Sequence, residues 1–144
     1  RYLAGLDGRA APEEDAQIQA LDAARARVAA IVAGAPTKPG ETILGAGPAY
    51  WTHFASYDAL ATVRALDIPV LVVQGGRDYQ VTTVDFERWK GALAKSKRAT
   101  TKLYPTLNHL FADGEGKSSP EEYQRRTQVD LALVDDLARF VLGR

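Results

Sequence analysis

Ile68-Pro69-Val70-Leu71-Val72-Val73-Gln74-Gly75-Gly76-Arg77-Asp78 reads as a strand that runs into a glycine turn carrying an acid. Val70 to Val73 is an unbroken run of β-branched residues and Leu between Pro69 and Gly75, the pattern of a strand buried on both faces of a parallel sheet. Downstream, Thr82 or Thr83 caps a helix that shows Phe86, Trp89 and Leu93 on one side. Ala99 to Tyr104 then reads as a second strand, followed by the turn Pro105-Thr106-Leu107-Asn108-His109. Strand, helix, strand is a βαβ unit, whose two strands run parallel with a right-handed crossover. Asp78 and His109 each follow the C-terminal end of a strand, the edge where α/β sheets carry their chemistry.

Read singly, each residue has a plain structural explanation, since Asp after Gly-Gly is a common turn residue and Asn-His after Pro an ordinary loop. Their joint placement favours chemistry. A neutral imidazole takes a proton from a hydroxyl near pH 7, and a carboxylate bonded to its other nitrogen fixes the tautomer and stabilises the imidazolium. Asp78 and His109 have the residue types and the chain order for those two roles.

Toward the N-terminus, after a short start from Arg1 to Arg9, Ala11-Pro12-Glu13-Glu14-Asp15 opens a helix, with Pro in the first turn and acids at the positive end of the macrodipole. Ile18, Leu21, Ala24, Val28, Ile31 and Val32 form its apolar stripe, and Gly34 and Pro36 end it. Residues 35–49 are rich in Pro and Gly and read as an irregular connection. Pro48 then starts a short aromatic helix, with Tyr50, Trp51, Phe54 and Tyr57 at helical spacing. Packing is the default role of such a cluster; lining a substrate pocket is the functional one, with Tyr50, Trp51 and Phe54 as candidate contacts. His53 lacks an acidic or nucleophilic neighbour in sequence and reads as a surface or packing residue, and Asp58 caps one more short helix.

Beyond His109, Ser119-Pro120-Glu121-Glu122 has the form of a capping box with Pro at the first helical position. Leu131, Val134, Leu137, Ala138 and Val141 mark a final helix expected to cover one face of the sheet. Gly116-Lys117-Ser118 looks like the end of a phosphate-binding loop, but the motif requires Gly where Phe111 stands. Residues 1–67 thus form a helical segment and residues 68–144 a βαβα part, together one partial α/β domain.

Composition excludes several classes. Lys plus Arg equals Asp plus Glu at 18 each, so no global field recruits nucleic acid. No apolar run approaches a membrane span, and the start does not resemble a signal peptide. Without Cys there is no disulfide, thiolate nucleophile or Cys-based zinc site, and two distant histidines imply no metal. No cofactor is expected. The chain starts at Arg1 and contains no Met, which is expected of a processed chain or a piece of a longer one.

Residues 68–81 together with Leu103-Tyr104-Pro105-Thr106-Leu107-Asn108-His109-Leu110-Phe111 resemble the C-terminal part of an α/β-hydrolase, closest to bacterial serine esterases of the dienelactone-hydrolase and prolyl-oligopeptidase-like group. The resemblance implies the C-terminal portion of a doubly wound, mostly parallel sheet with flanking helices. It implies hydrolysis of a small-molecule carboxylic ester or related acyl substrate through an acyl-enzyme, with Asp78 as triad acid and His109 as triad base. Ser56, Ser96, Ser118 and Ser119 have no Gly-x-Ser-x-Gly frame, so the nucleophile is expected outside these residues and the segment alone is expected to be inactive. A partial sheet also leaves a strand edge open, for which self-association or rearrangement of residues 1–67 is expected. The other reading is a non-catalytic α/β module for binding or assembly that retains the fold. A nucleotide-binding domain is disfavoured because no Gly-rich phosphate loop follows a strand.

Overall fold

A computed structural model describes residues 12–144. The start from Arg1 to Arg9, and Ala11, lie outside the described residues. The chain divides into two compact units, Arg1–Ala59 and Leu60–Arg144.

The first unit is helical. Helix α1 spans Pro12–Val32 with Glu13, Glu14 and Asp15 in its first turn, where their charge opposes the macrodipole. It ends at Gly34, whose φ of 94° is a conformation a side chain disfavours. Of its apolar stripe only Ile31 is buried. The loop that follows is stapled back onto the helix: Arg27 Nε and Nη2 donate to the two oxygens of Glu41 at 2.6 and 2.8 Å, and Nη2 also donates to the Pro36 carbonyl at 2.8 Å. This paired geometry, with the Lys38 backbone N–H as a further donor, lowers the Glu41 carboxyl to about 2. Helix α2 spans Pro48–Ser56, with Pro in its first turn, and packs against α1. Trp51 donates its indole N–H to the carbonyls of Ile43 and Ala46, at 3.0 and 3.2 Å, and so ties α2 to the tight turn before it.

The second unit holds α3 (Ala59–Ala65) but for its first residue, β1 (Val70–Gly75), α4 (Thr83–Leu93), β2 (Ala99–Tyr104), a 3-10 turn (Pro120–Gln124) and α5 (Leu131–Leu142). The strands pair in parallel, from Val70 opposite Ala99 to Gly75 opposite Tyr104. The second unit thus combines helices with a two-stranded parallel sheet, the minimal α/β arrangement. Phe86 and Leu93 are buried on α4, which packs on β1. A small core joins Tyr104, Leu107 and Leu133, with Val73 and Phe111 against it. Leu107 and Leu133 are each 2% exposed, and burial on this scale stabilises by about 1.5–3 kcal/mol per side chain.

Three expectations are corrected. Val70 to Val73 are half-buried rather than enclosed, because a sheet of two strands with α4 on β1 covers only part of their surface; Gln74 and Gly75 alone are buried. Ser119-Pro120-Glu121-Glu122 opens the 3-10 turn, with no side-chain cap bond from Ser119 to the turn's backbone, and the final helix starts separately on Asp130, which accepts from the Leu133 N–H at 3.0 Å. Glu122 is drawn away from the cap by stronger tertiary partners described below. Helix α5 buries Leu133 only, while Leu131, Val134, Leu137 and Val141 are exposed. Polar contacts also hold it to β2, since Asp136 takes hydrogen bonds from Lys102 and, at 2.6 Å, from the Tyr104 hydroxyl. Burial and this carboxylate together push the Tyr104 hydroxyl above its ordinary pKa.

Candidate active site

The ends of β1 and β2 lead into two loops that lie against each other. After β1 the Gly76 N–H donates to the Tyr104 carbonyl at 2.7 Å and the Arg77 N–H to the Leu107 carbonyl at 2.9 Å. These bonds extend the ladder past the last residues of the strands and carry Asp78 and His109 side by side. Gly75 and Gly76 permit it because they present no side chain to the second loop.

His109 Nδ1 lies 2.8 Å from Asp78 Oδ2. The other carboxylate oxygen, Oδ1, accepts from the backbone N–H groups of Gln80 and Val81 at 2.8 and 2.9 Å. The Asp78 side chain is 7% exposed and that of His109 is 37% exposed, so the acid is enclosed and the imidazole is partly exposed. Gln74, buried at the end of β1, donates to the Val81 carbonyl at 2.8 Å and reaches Asp78 Oδ2 at 3.4 Å, bracing the acid's loop. A carboxylate accepts only, so Nδ1 is the donor in this pair, and in the neutral imidazole that leaves the lone pair on Nε2.

Around the pair lies a network that sequence reading missed. Arg77 forms an ion pair with Glu122 Oε1 and donates to the carbonyls of Gly116 and Glu115 at 2.9 and 3.0 Å. Glu122 Oε2 accepts from Asn108 at 3.0 Å and from the Ser118 hydroxyl at 3.1 Å. Burial pushes the Glu122 carboxyl up, but hydrogen bonds from Asn108, Arg77 and Ser118 outweigh it and hold the group below the ordinary carboxylate value. Arg77 and Asn108 stand immediately before Asp78 and His109, the one signal in sequence that singled them out.

Tyr50, Trp51 and Phe54 belong to the first unit, where their rings cluster on α2; Tyr50 and Phe54 are stacked with centroids 5.9 Å apart, and both are exposed. His53 is exposed as well. Among the described residues no His, Cys, Asp or Glu side chains gather in a group of three that could hold a metal, and no helix is long and apolar enough to cross a membrane.

A parallel strand pair that delivers a carboxylate and an imidazole to one edge, in hydrogen-bond contact, defines an α/β unit equipped for proton transfer. In comparison with known proteins, the chain is 38% identical over 104 residues, 72% of its length, to Esterase EstD of Thermotoga maritima. It spans a quarter of that relative's length, 25%. The likeness supports an esterase or hydrolase family and, with the helices and parallel strand pair, an α/β-hydrolase kind of fold. No family model matches the chain, and no solved structure matches it.

Proposed function

We propose that this chain supplies the acid and base of a serine esterase of the bacterial dienelactone-hydrolase and prolyl-oligopeptidase-like kind, within a doubly wound sheet completed by the rest of the enzyme. The observation that carries this reading is the 2.8 Å contact between the Nδ1 of a partly exposed His109 and an enclosed Asp78. In the proposed reaction His109 Nε2 accepts the proton of a serine hydroxyl as the oxygen attacks the acyl carbon of a small ester, then returns it to the leaving alcohol. Asp78 holds the tautomer and stabilises the imidazolium. Water then hydrolyses the acyl-enzyme by the same proton route. The serine belongs to a segment with a Gly-x-Ser-x-Gly turn outside these 144 residues.

The test has two arms. In the parent enzyme, His109→Ala is expected to lower kcat for p-nitrophenyl acetate on the order of 10^4-fold or more; retained activity overturns the assignment. The 144-residue chain alone is expected to show no ester turnover above buffer, and turnover by the purified chain overturns the placement of the nucleophile elsewhere.

A further inference from the structure

The His109 loop is not held by its own contacts alone. Asn108, 2% exposed, spends its side-chain oxygen on the N–H groups of Leu110 and Ala112, at 2.9 and 3.1 Å. Those two bonds flank Phe111, whose φ of 55° is left-handed, a conformation that strains a non-glycine residue and persists only where neighbours over-determine it. The Asn108 amide nitrogen then donates to Glu122. Glu122 in turn pairs with Arg77. A single carboxylate therefore grips the residue before the acid and the residue before the histidine. Tyr123, next on the same 3-10 turn, accepts from Gln80 at 3.0 Å and stacks on Tyr79 with centroids 6.1 Å apart, a second hold on the Asp78 loop.

We propose that Glu122 is a positioning residue for the reaction: acting through Asn108 and Arg77, it makes the Pro120–Gln124 turn a strap that sets the His109 imidazole against Asp78. The inference rests on His109 being the base. A turn with only a local role would direct Glu122 back to the Ser119 N–H as a capping box does. Instead both of its oxygens serve the two loops, at sequence separations of 45 from Arg77 and 14 from Asn108.

A charge-conserving exchange tests this in the parent enzyme. Asn108→Asp keeps the oxygen that the Leu110 and Ala112 amides require but sets a carboxylate against Glu122. Glu122→Gln removes the charge that Arg77 needs. The double variant Asn108→Asp/Glu122→Gln restores one donor, one acceptor and the balance with Arg77. Each single variant is expected to lower kcat for p-nitrophenyl acetate about 10- to 100-fold with KM little changed, as displacement of a reacting group does. The double variant should recover most of the loss. The downfield Nδ1–H resonance of His109 should broaden in the single variants and return in the double. Where a single variant does not fold, Glu122→Asp keeps the charge beside Arg77 while drawing it back from Asn108, and the same loss of kcat is expected. Single variants with wild-type kcat and an intact resonance overturn the inference, as does a double variant that regains thermal stability without kcat. Failure here is distinct from failure of the function: a fully active Asn108→Asp beside a silenced His109→Ala sinks only the strap, whereas an active His109→Ala sinks the triad assignment.

Discussion

The carbonyl oxygen of Leu107 lies 2.5 Å from where a side-chain carbon on Gly75 would sit, and that of Asn108 lies 2.6 Å from it. At Gly76 the corresponding neighbour is the Pro105 carbonyl oxygen, at 2.7 Å. Backbone atoms cannot yield as a flexible side chain can, so the two loops touch only because both positions lack a Cβ. Gly75→Ala and Gly76→Ala are each expected to destabilise the second unit by about 1–3 kcal/mol, the cost of overpacking. Denaturant midpoints measure this; unchanged midpoints would mean that the loops part easily, and the tight geometry of the Asp78–His109 pair would then lose its cause.

Asp78→Asn tests the electrostatic part of the proposed triad while preserving shape. The introduced amide can still accept from the Gln80 and Val81 N–H groups but no longer obliges His109 to carry its proton on Nδ1. In the parent enzyme kcat should fall on the order of 10^4-fold. Steady-state kinetics with a p-nitrophenyl ester decides it, and a loss confined to KM would contradict the role.

Glu41 provides a pH marker for the first unit. Its folded pKa is depressed to about 2, chiefly by the Arg27 hydrogen bonds. A depressed carboxylate contributes its stabilisation in full above the unfolded value and loses it as pH falls through the folded one. The staple should therefore hold at neutral pH and release between the ordinary value of 4.5 and about 2. Carboxyl NMR titration should find this low midpoint, and Arg27→Gln should move it up toward 4.5, short of it because the Lys38 N–H remains.

Self-association is the expected behaviour of the isolated chain. In the described residues β1 and β2 pair only with each other, and α5 leaves Leu131 and Val141 exposed at 66% and 79%. Open strand edges beside apolar surface favour pairing with a second chain. Light scattering across a concentration series should show a mass rising above the monomer; a monomer mass at the highest concentration would contradict it.

Much of this protein was determined by local sequence. The run Val70 to Val73, the Gly-Gly turn and the alternation with a helical pattern sufficed for the parallel strand pair, and Pro12 and Pro48 marked helix starts because a first-turn residue needs no N–H partner. The order acid, then histidine, each after a strand, was legible for the same reason. Only the tertiary structure decided where Glu122 goes. Its local pattern asked for a cap, yet Arg77, far away in sequence, Asn108 and Ser118 offer a carboxylate more than one backbone N–H can, and the helix expected at Ser119 became a short 3-10 turn. Burial of β1 also belonged to the tertiary level, because an apolar run states what a strand could bury and only its neighbours determine what it does bury. The same holds for the Asp78–His109 contact: chain order placed both residues at one edge, and the close approach of two backbones brought them to 2.8 Å.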